Sequence, residues 1–135
     1  MEQKAARAAV AKALKQRKVV LRKGHWRLPL DGITWYVDLR ADGPGPTAPL
    51  HFEIGAYVDE LGHPEPEGGA VDCPLLQDLP LDTSGGAARV TAAVDSLVDR
   101  LLAADTVTAL AKAWRAGEYP DALVDRHLRA RFEHA

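Results

Sequence analysis

Two stretches of alternating sequence place side chains that could transfer protons or bind metal ions at positions that would share one face of a sheet. Residues 33–40 contribute Asp38, and residues 50–59 contribute His51 and Glu53. Side chains alternate between the two faces of a strand, so these groups share one face if the strands pair. Opposite residues of antiparallel neighbours lie about 5 Å apart, close enough for proton exchange between Asp38, His51 and Glu53. The face defined in this way, here called the polar sheet face, comprises His25, Arg27, Tyr36, Asp38, Arg40, His51, Glu53 and Tyr57.

The polar sheet face has three interpretations. The simplest is a solvated face with cross-strand ion pairs such as Arg27–Asp38, because strict alternation is typical of a sheet with one face buried and the other open to water. The second is a face that binds a ligand or a partner, and the third is a small enzyme with its site on this exposed face. The chain contains no nucleophile elbow, phosphate-binding loop or dinucleotide fingerprint. We therefore predict no catalytic residue and no cofactor.

Metal binding and thiol chemistry are both disfavoured. His51 and Glu53 offer two ligands on one strand face, and His25 could supply a third. Zinc sites normally show closely spaced Cys and His residues, and this sequence has none, so no metal is predicted. Cys73 is the single cysteine, which excludes an intramolecular disulfide. It precedes Pro74 and has no cation nearby in sequence, which indicates a buried, inert thiol.

Charge is distributed unevenly along the chain. Residues 1–27 hold nine Lys/Arg and one acid, a charge of +8, whereas the remainder holds eight Lys/Arg and eighteen acids, a charge of −10, which together give the net −2. The basic segment either binds an external polyanion or lies against the acidic remainder of its own domain. We favour the second interpretation because it requires no further molecule. The cations that cluster along the predicted first helix, here called the basic helix residues, are Lys4, Arg7, Lys12, Lys15 and Lys18.

The periodicity predicts the elements that must position these residues. Alanine-rich residues 2–17 favour a helix, Asp31-Gly32 indicates a hairpin turn, and residues 62–69 are rich in Pro, Glu and Gly, which is typical of a mobile loop. The elements follow in the order helix (2–17), strands (19–28, 33–40, 50–59), edge strand or extended loop (71–81) and helices from residue 84, the last opening at Pro120-Asp121. This order predicts a single α+β domain over residues 1–135. We expect a three- to four-stranded antiparallel sheet with C-terminal helices packed on one face.

Four segments resemble a known family. They are LRKGHWRL, WYVDLR, LHFEIGAYVD and DCPLLQDLPLD, which follow the N-terminal helix in that order. This pattern resembles the bacterial family catalogued as domain of unknown function 4304, over residues about 5 to 115. The resemblance implies an α+β fold, no established activity and no catalytic residues to carry over. A bacterial origin also agrees with the composition, which lacks asparagine and is rich in Ala, Arg, Asp and Val.

These observations favour a binding or accessory module over an enzyme. We expect the partner to be another protein, with a second copy of the chain as one form of it. A nucleic acid bound by the basic helix residues is the alternative partner, although the acidic remainder would repel it. No stretch approaches the ~18 apolar residues of a membrane span, and the first residues lack the apolar run of a signal peptide. We therefore expect a cytoplasmic protein with no membrane partner.

Overall fold

An alanine-rich helix, α1 (Gln3–Gln16), begins the chain in the computed structural model, which describes residues 1–134. Its buried stripe lies against the long helix α2 (Gly86–Ala103). Two of the stripe's residues are alanines, which permits a close approach of the two helices; the stripe consists of Ala6, Val10, Ala13 and Leu14. The last helices, α3 (Val107–Arg115) and α4 (Arg126–Glu133), also contact each other. Within the described residues, no helix has the length and apolar character needed to cross a membrane.

The sheet has six antiparallel strands in chain order, each paired with the next. The strands are β1 (Val20–Arg22), β2 (His25–Pro29), β3 (Ile33–Ala41), β4 (Leu50–Val58), β5 (Leu75–Leu81) and β6 (Leu123–Val124). The α+β class and the antiparallel sheet are therefore confirmed, but the predicted count of three to four strands is wrong. The difference arises because a turn at Lys23 and Gly24, both with positive φ, divides the expected strand 19–28 into β1 and β2, and because the two-residue strand β6 is added. Strands this short carry too few residues to show a period of two.

One face of the sheet is buried against the helices. Alternation directs Ile33, Trp35 and Val37 of β3 inward, and all three are fully buried. Side chains from all four helices join them in one apolar cluster, among them Leu14, Val98, Leu110 and Phe132. The Trp35 indole N–H donates to the carbonyl of Ala104 at 3.1 Å, so the largest core side chain also has its polar atom paired.

Residues 59–74 fold back over the opposite face of the sheet. They contain two short 3-10 turns, Asp59–Leu61 and Gly69–Asp72, and the second of these lies on β3 and β4. The close approach is made at Gly55, where a Cβ atom would lie 2.6 Å from the Ala70 carbonyl oxygen. The glycine thus permits backbone-to-backbone contact, and residues 59–74, here called the covering loop, shield the middle of the polar sheet face.

Candidate functional site

The covering loop divides the polar sheet face into a covered part and an open part. Tyr36 and Asp38 are only 3% and 8% exposed. The expectation that the whole face is open to solvent is therefore wrong at these two positions. The two side chains are buried by the covering loop, a segment remote in sequence whose position the alternation of β3 and β4 does not reveal.

Asp38 connects the sheet to the covering loop. One carboxylate oxygen accepts a hydrogen bond from the Ala70 backbone N–H at 2.9 Å, and the other lies 2.7 Å from Nδ1 of His25. The expected Arg27–Asp38 pair does not form, because the register places Arg27 opposite Tyr36, with its guanidinium carbon 5.4 Å from the ring centroid. Asp38 is thus used to hold the loop and His25.

Other groups in the covered part also have structural roles. The Tyr57 hydroxyl donates to the His63 carbonyl at 2.6 Å, which joins β4 to the covering loop. Burial is the largest cause that raises the pKa of Tyr36. Burial also raises the pKa of the Cys73 thiol, and the carboxylates of Asp38 and Asp72 raise it further. The thiol is therefore protonated at neutral pH, as expected for an unreactive cysteine.

The open part lies where β3 and β4 approach their connecting loop; it is called the open end and comprises Arg40, Asp42, His51, Glu53 and Asp78. The Arg40 guanidinium donates to one oxygen of Glu53 at 2.7 Å, and this bond raises the pKa of Arg40. Nδ1 of His51 lies 2.6 Å from an Asp42 oxygen. The other ring nitrogen of His51, Nε2, lies 3.9 Å from the second oxygen of Glu53. This places an imidazole nitrogen and a carboxylate oxygen near each other on side chains that are 21% and 14% exposed.

Asp78 completes the open end from β5. The register sets Glu53 directly opposite Asp78, and one ligand atom each from His51, Glu53 and Asp78 lies within 4.8 Å of the other two. The expected proton exchange among Asp38, His51 and Glu53 is not supported, since Asp38 bonds to His25 and Ala70 instead. Sequence reasoning missed Asp42 and Asp78. Asp42 could have been found by extending the alternation of β3, whereas Asp78 required the pairing of β4 with β5.

The basic helix residues remain largely exposed. Arg17 bonds to Asp95 at 3.3 Å and to Asp99 at 2.6 Å on α2, and these charges raise the pKa of Arg17. Arg7 donates to the Leu39 carbonyl at 3.2 Å. No ion pair within residues 1–134 involves the four exposed lysines of this set, which are Lys4, Lys12, Lys15 and Lys18. The favoured interpretation, neutralisation inside the domain, thus accounts for little of the basic charge.

A groove lies between α1 and the β1–β2 hairpin. It has a volume of about 410 Å³, and its lining combines apolar side chains with the two guanidinium groups of Arg7 and Arg40. The apolar lining includes Leu21, Trp26 and Leu39. The lining also includes His25 and the carboxylate of Asp38, so the groove presents both positive and negative groups.

Fold and site together define an α+β protein with a six-stranded antiparallel meander, one partly covered polar face and a set of exposed lysines on and after α1. Comparison with known proteins produced no matching family model, no matching curated protein and no matching solved structure. The resemblance to domain of unknown function 4304 therefore stays a prediction.

Proposed function

We propose that this protein is a non-catalytic binding or accessory module that holds an acidic, extended segment of another protein. The segment would bind along the basic edge, defined here as Lys12, Lys15, Lys18, Val20, Leu21 and Arg22. The observation that carries the proposal is the continuity of exposed lysines with an open strand edge that exposes apolar side chains.

The strand edge supports a protein partner. β1 lies at the end of the sheet and pairs with β2, and among residues 1–134 no strand pairs with its outer side. Val20 and Leu21 remain 54% and 55% exposed. Unpaired strand edges with exposed apolar side chains attract a further strand, whose backbone supplies hydrogen bonds and whose side chains supply selectivity.

The charge of the edge supports an acidic partner. Lys12 and Lys15 near the end of α1, Lys18 between α1 and β1, and Arg22 at the end of β1 are all exposed. Carboxylates on an added strand would lie near these cations, which speeds association and fixes orientation more than it adds affinity. The remainder of the chain carries a charge of −10 and repels a nucleic acid, whose charge density is high, more strongly than a moderately acidic peptide. Val20 and Leu21 would also gain little from a phosphate backbone, so a protein segment fits better than a nucleic acid.

The setting of the module is part of the same proposal. We infer a cytoplasmic protein, since a single half-buried cysteine offers no disulfide framework, and a bacterial one, since the composition lacks asparagine and is rich in Ala, Arg, Asp and Val. The partner strand could come from another protein or from a second copy of this chain.

The test is a binding titration followed by fluorescence anisotropy. The probe is a labelled peptide of alternating Val and Glu, compared with single-stranded DNA of the same net charge. One variant replaces Lys12, Lys15 and Lys18 by Gln. The control replaces three exposed cations outside the basic edge, Arg89, Lys112 and Arg126, by Gln.

We expect the peptide to bind the wild type and the control alike and to bind the edge variant at least tenfold more weakly. Leu21→Ser should weaken peptide binding without changing the net charge. Equal weakening in both triple variants would show unspecific attraction and contradict the proposal. Tighter binding of the DNA than of the peptide, lost in the edge variant, would replace the protein partner by a nucleic acid.

A further inference from the structure

We propose that His51, Glu53 and Asp78, at the open end of the polar sheet face, bind a divalent transition-metal ion such as Zn²⁺. This site is separate from the basic edge and does not depend on the function proposed there. It departs from the sequence-based expectation of no metal, because one of its three ligands comes from a strand pairing that the sequence does not show.

The register brings the ligands to one place. His51 and Glu53 are two residues apart on β4 and therefore share a face, and Glu53 is paired directly with Asp78 on β5. Their nearest ligand atoms lie within 4.8 Å of one another. Zn–N and Zn–O bonds of about 2.0–2.2 Å set ligand atoms roughly 3.3 Å apart around a tetrahedral ion. Side-chain movements of about 1 Å would thus close the site, and the exposed Asp78 is free to make them.

The hydrogen bond of His51 prepares its other nitrogen as a ligand. Nδ1 lies 2.6 Å from Asp42, so in the neutral ring it donates its proton to that carboxylate. Nε2 then carries a lone pair, which faces an oxygen of Glu53 at 3.9 Å. Two acceptors that face each other attract a cation between them. A carboxylate on the distal nitrogen of a ligating histidine is the usual support in metal sites.

The local charge also favours a dication. Like charges directly opposite each other on paired strands are destabilising, and Glu53 and Asp78 are such a pair. Arg40 neutralises one oxygen of Glu53 and leaves the other available. Within the described part of the chain, Asp78 has no ion-pair partner. Asp42, Glu53, Asp78 and Arg40 together carry a charge of −2, and Asp38, opposite Glu53 on β3, adds a further negative charge, so a divalent cation would relieve the repulsion.

The donor set indicates which ions are suitable. One imidazole and two carboxylates fit Zn²⁺ and other first-row divalent ions, whereas Mg²⁺ prefers oxygen ligands alone. Three protein ligands leave a coordination position for water or for a ligand, as in zinc sites that are open to solvent.

The test is a calorimetric titration of the tag-free, chelator-treated protein with ZnCl₂, with native mass spectrometry for the stoichiometry. His51→Gln and Asp78→Asn each remove a ligand. Asp42→Asn removes the support of His51 without removing a ligand. The matched controls, His127→Gln and Asp121→Asn, change an exposed histidine and an exposed acid outside the cluster.

We expect one Zn²⁺ per chain and at least tenfold weaker binding in His51→Gln and Asp78→Asn. Asp42→Asn should weaken binding about tenfold, the lower end of the effect of removing such a support. Both controls should bind like the wild type. The absence of one-to-one binding, or unchanged binding in the two ligand variants, would overturn the proposal. If His51→Gln fails to fold by circular dichroism, Asp78→Asn decides, because its side chain is exposed.

Discussion

The contact between Gly55 and the covering loop leads to a prediction about the sign of a stability change. In a strand interior, glycine is less stable than alanine by about 0.5–1 kcal/mol, because it loses more backbone entropy on folding. The φ angle of Gly55 is negative and therefore open to any residue. If the covering loop did not contact this position, Gly55→Ala would stabilise the protein.

The structure predicts the opposite sign. A Cβ at position 55 would lie 2.6 Å from the Ala70 carbonyl oxygen, 2.8 Å from its Cα and 2.8 Å from Cys73 Cβ. Two of these three atoms are backbone, so the loop must move as a whole. Overpacking of this kind costs about 1–3 kcal/mol. Subtraction of the entropic gain leaves a net loss of roughly 0–2.5 kcal/mol with a midpoint near 1 kcal/mol, and a loss of about 1 kcal/mol lowers the melting temperature by roughly 3–5 °C.

Thermal and urea denaturation measure the stability, and alkylation of Cys73 measures the position of the loop. Lifting the loop reduces the burial that raises the pKa of this thiol. More thiolate is then present at a given pH, so Gly55→Ala should react faster with iodoacetamide than the wild type. Gly85→Ala is the comparison, because Gly85 is the N-cap of α2 and its new Cβ would meet only the Arg89 side chain, not the covering loop. It should lose roughly 0.5–1 kcal/mol, since glycine is preferred over alanine at an N-cap, but leave the alkylation rate of Cys73 unchanged.

The reasoning would be refuted by a Gly55→Ala protein that is as stable as the wild type, or more stable, and whose Cys73 reacts no faster. That result would mean that residues 59–74 do not lie on β4. The polar sheet face would then be open along its length.

Two further predictions concern single hydrogen-bonded groups. Asp38→Ala should lower the free energy of unfolding, measured by urea denaturation, by about 2–4 kcal/mol, because it leaves the buried Ala70 N–H without its acceptor and removes the partner of His25. Asp38→Asn keeps one acceptor and should cost less. If both variants were as stable as the wild type, the structural role of Asp38 would be contradicted. Thr106→Ala should cost about 1 kcal/mol, since the threonine hydroxyl accepts from the Ala109 N–H at 3.1 Å at the start of α3. An unchanged melting temperature for this variant would show that the cap does not stabilise the helix.

The two long central strands were predictable from the sequence. Residues 33–40 and 50–59 were expected as strands, and the structure has Ile33–Ala41 and Leu50–Val58. Their alternation is local, since each side chain's face follows from its position along one strand. The shared face of Asp38, Arg40, His51 and Glu53 followed from this alone.

The C-terminal region was predicted less well. A last helix was expected from Pro120, but α4 begins at Arg126, after the two-residue strand β6. Asp121 adopts a positive φ of 60°, which interrupts a helix at that point. β6 is a strand because it can pair with β5, and a two-residue strand has no period that a sequence could show.

The candidate sites differ in how far local pattern could reveal them. Composition alone showed the basic N-terminal segment, but whether its lysines met internal acids depended on how α1 packs on α2, where Arg17 reaches Asp95 and Asp99. The partners of His51 depended on the turn after β3 and on the pairing of β4 with β5, which bring Asp42 and Asp78 to the open end.

The amino-acid sequence by itself determined the fold class, the charge asymmetry and the face on which each strand residue lies, because these properties depend on composition and on neighbours a few residues apart. Tertiary structure decided which polar residues meet solvent. Tyr36 and Asp38 are buried because residues 59–74 return to the sheet at Gly55, whereas His51, Glu53 and Asp78 lie outside that contact. Burial by a remote segment depends on chain reversal and shape complementarity, and no local period records either of them.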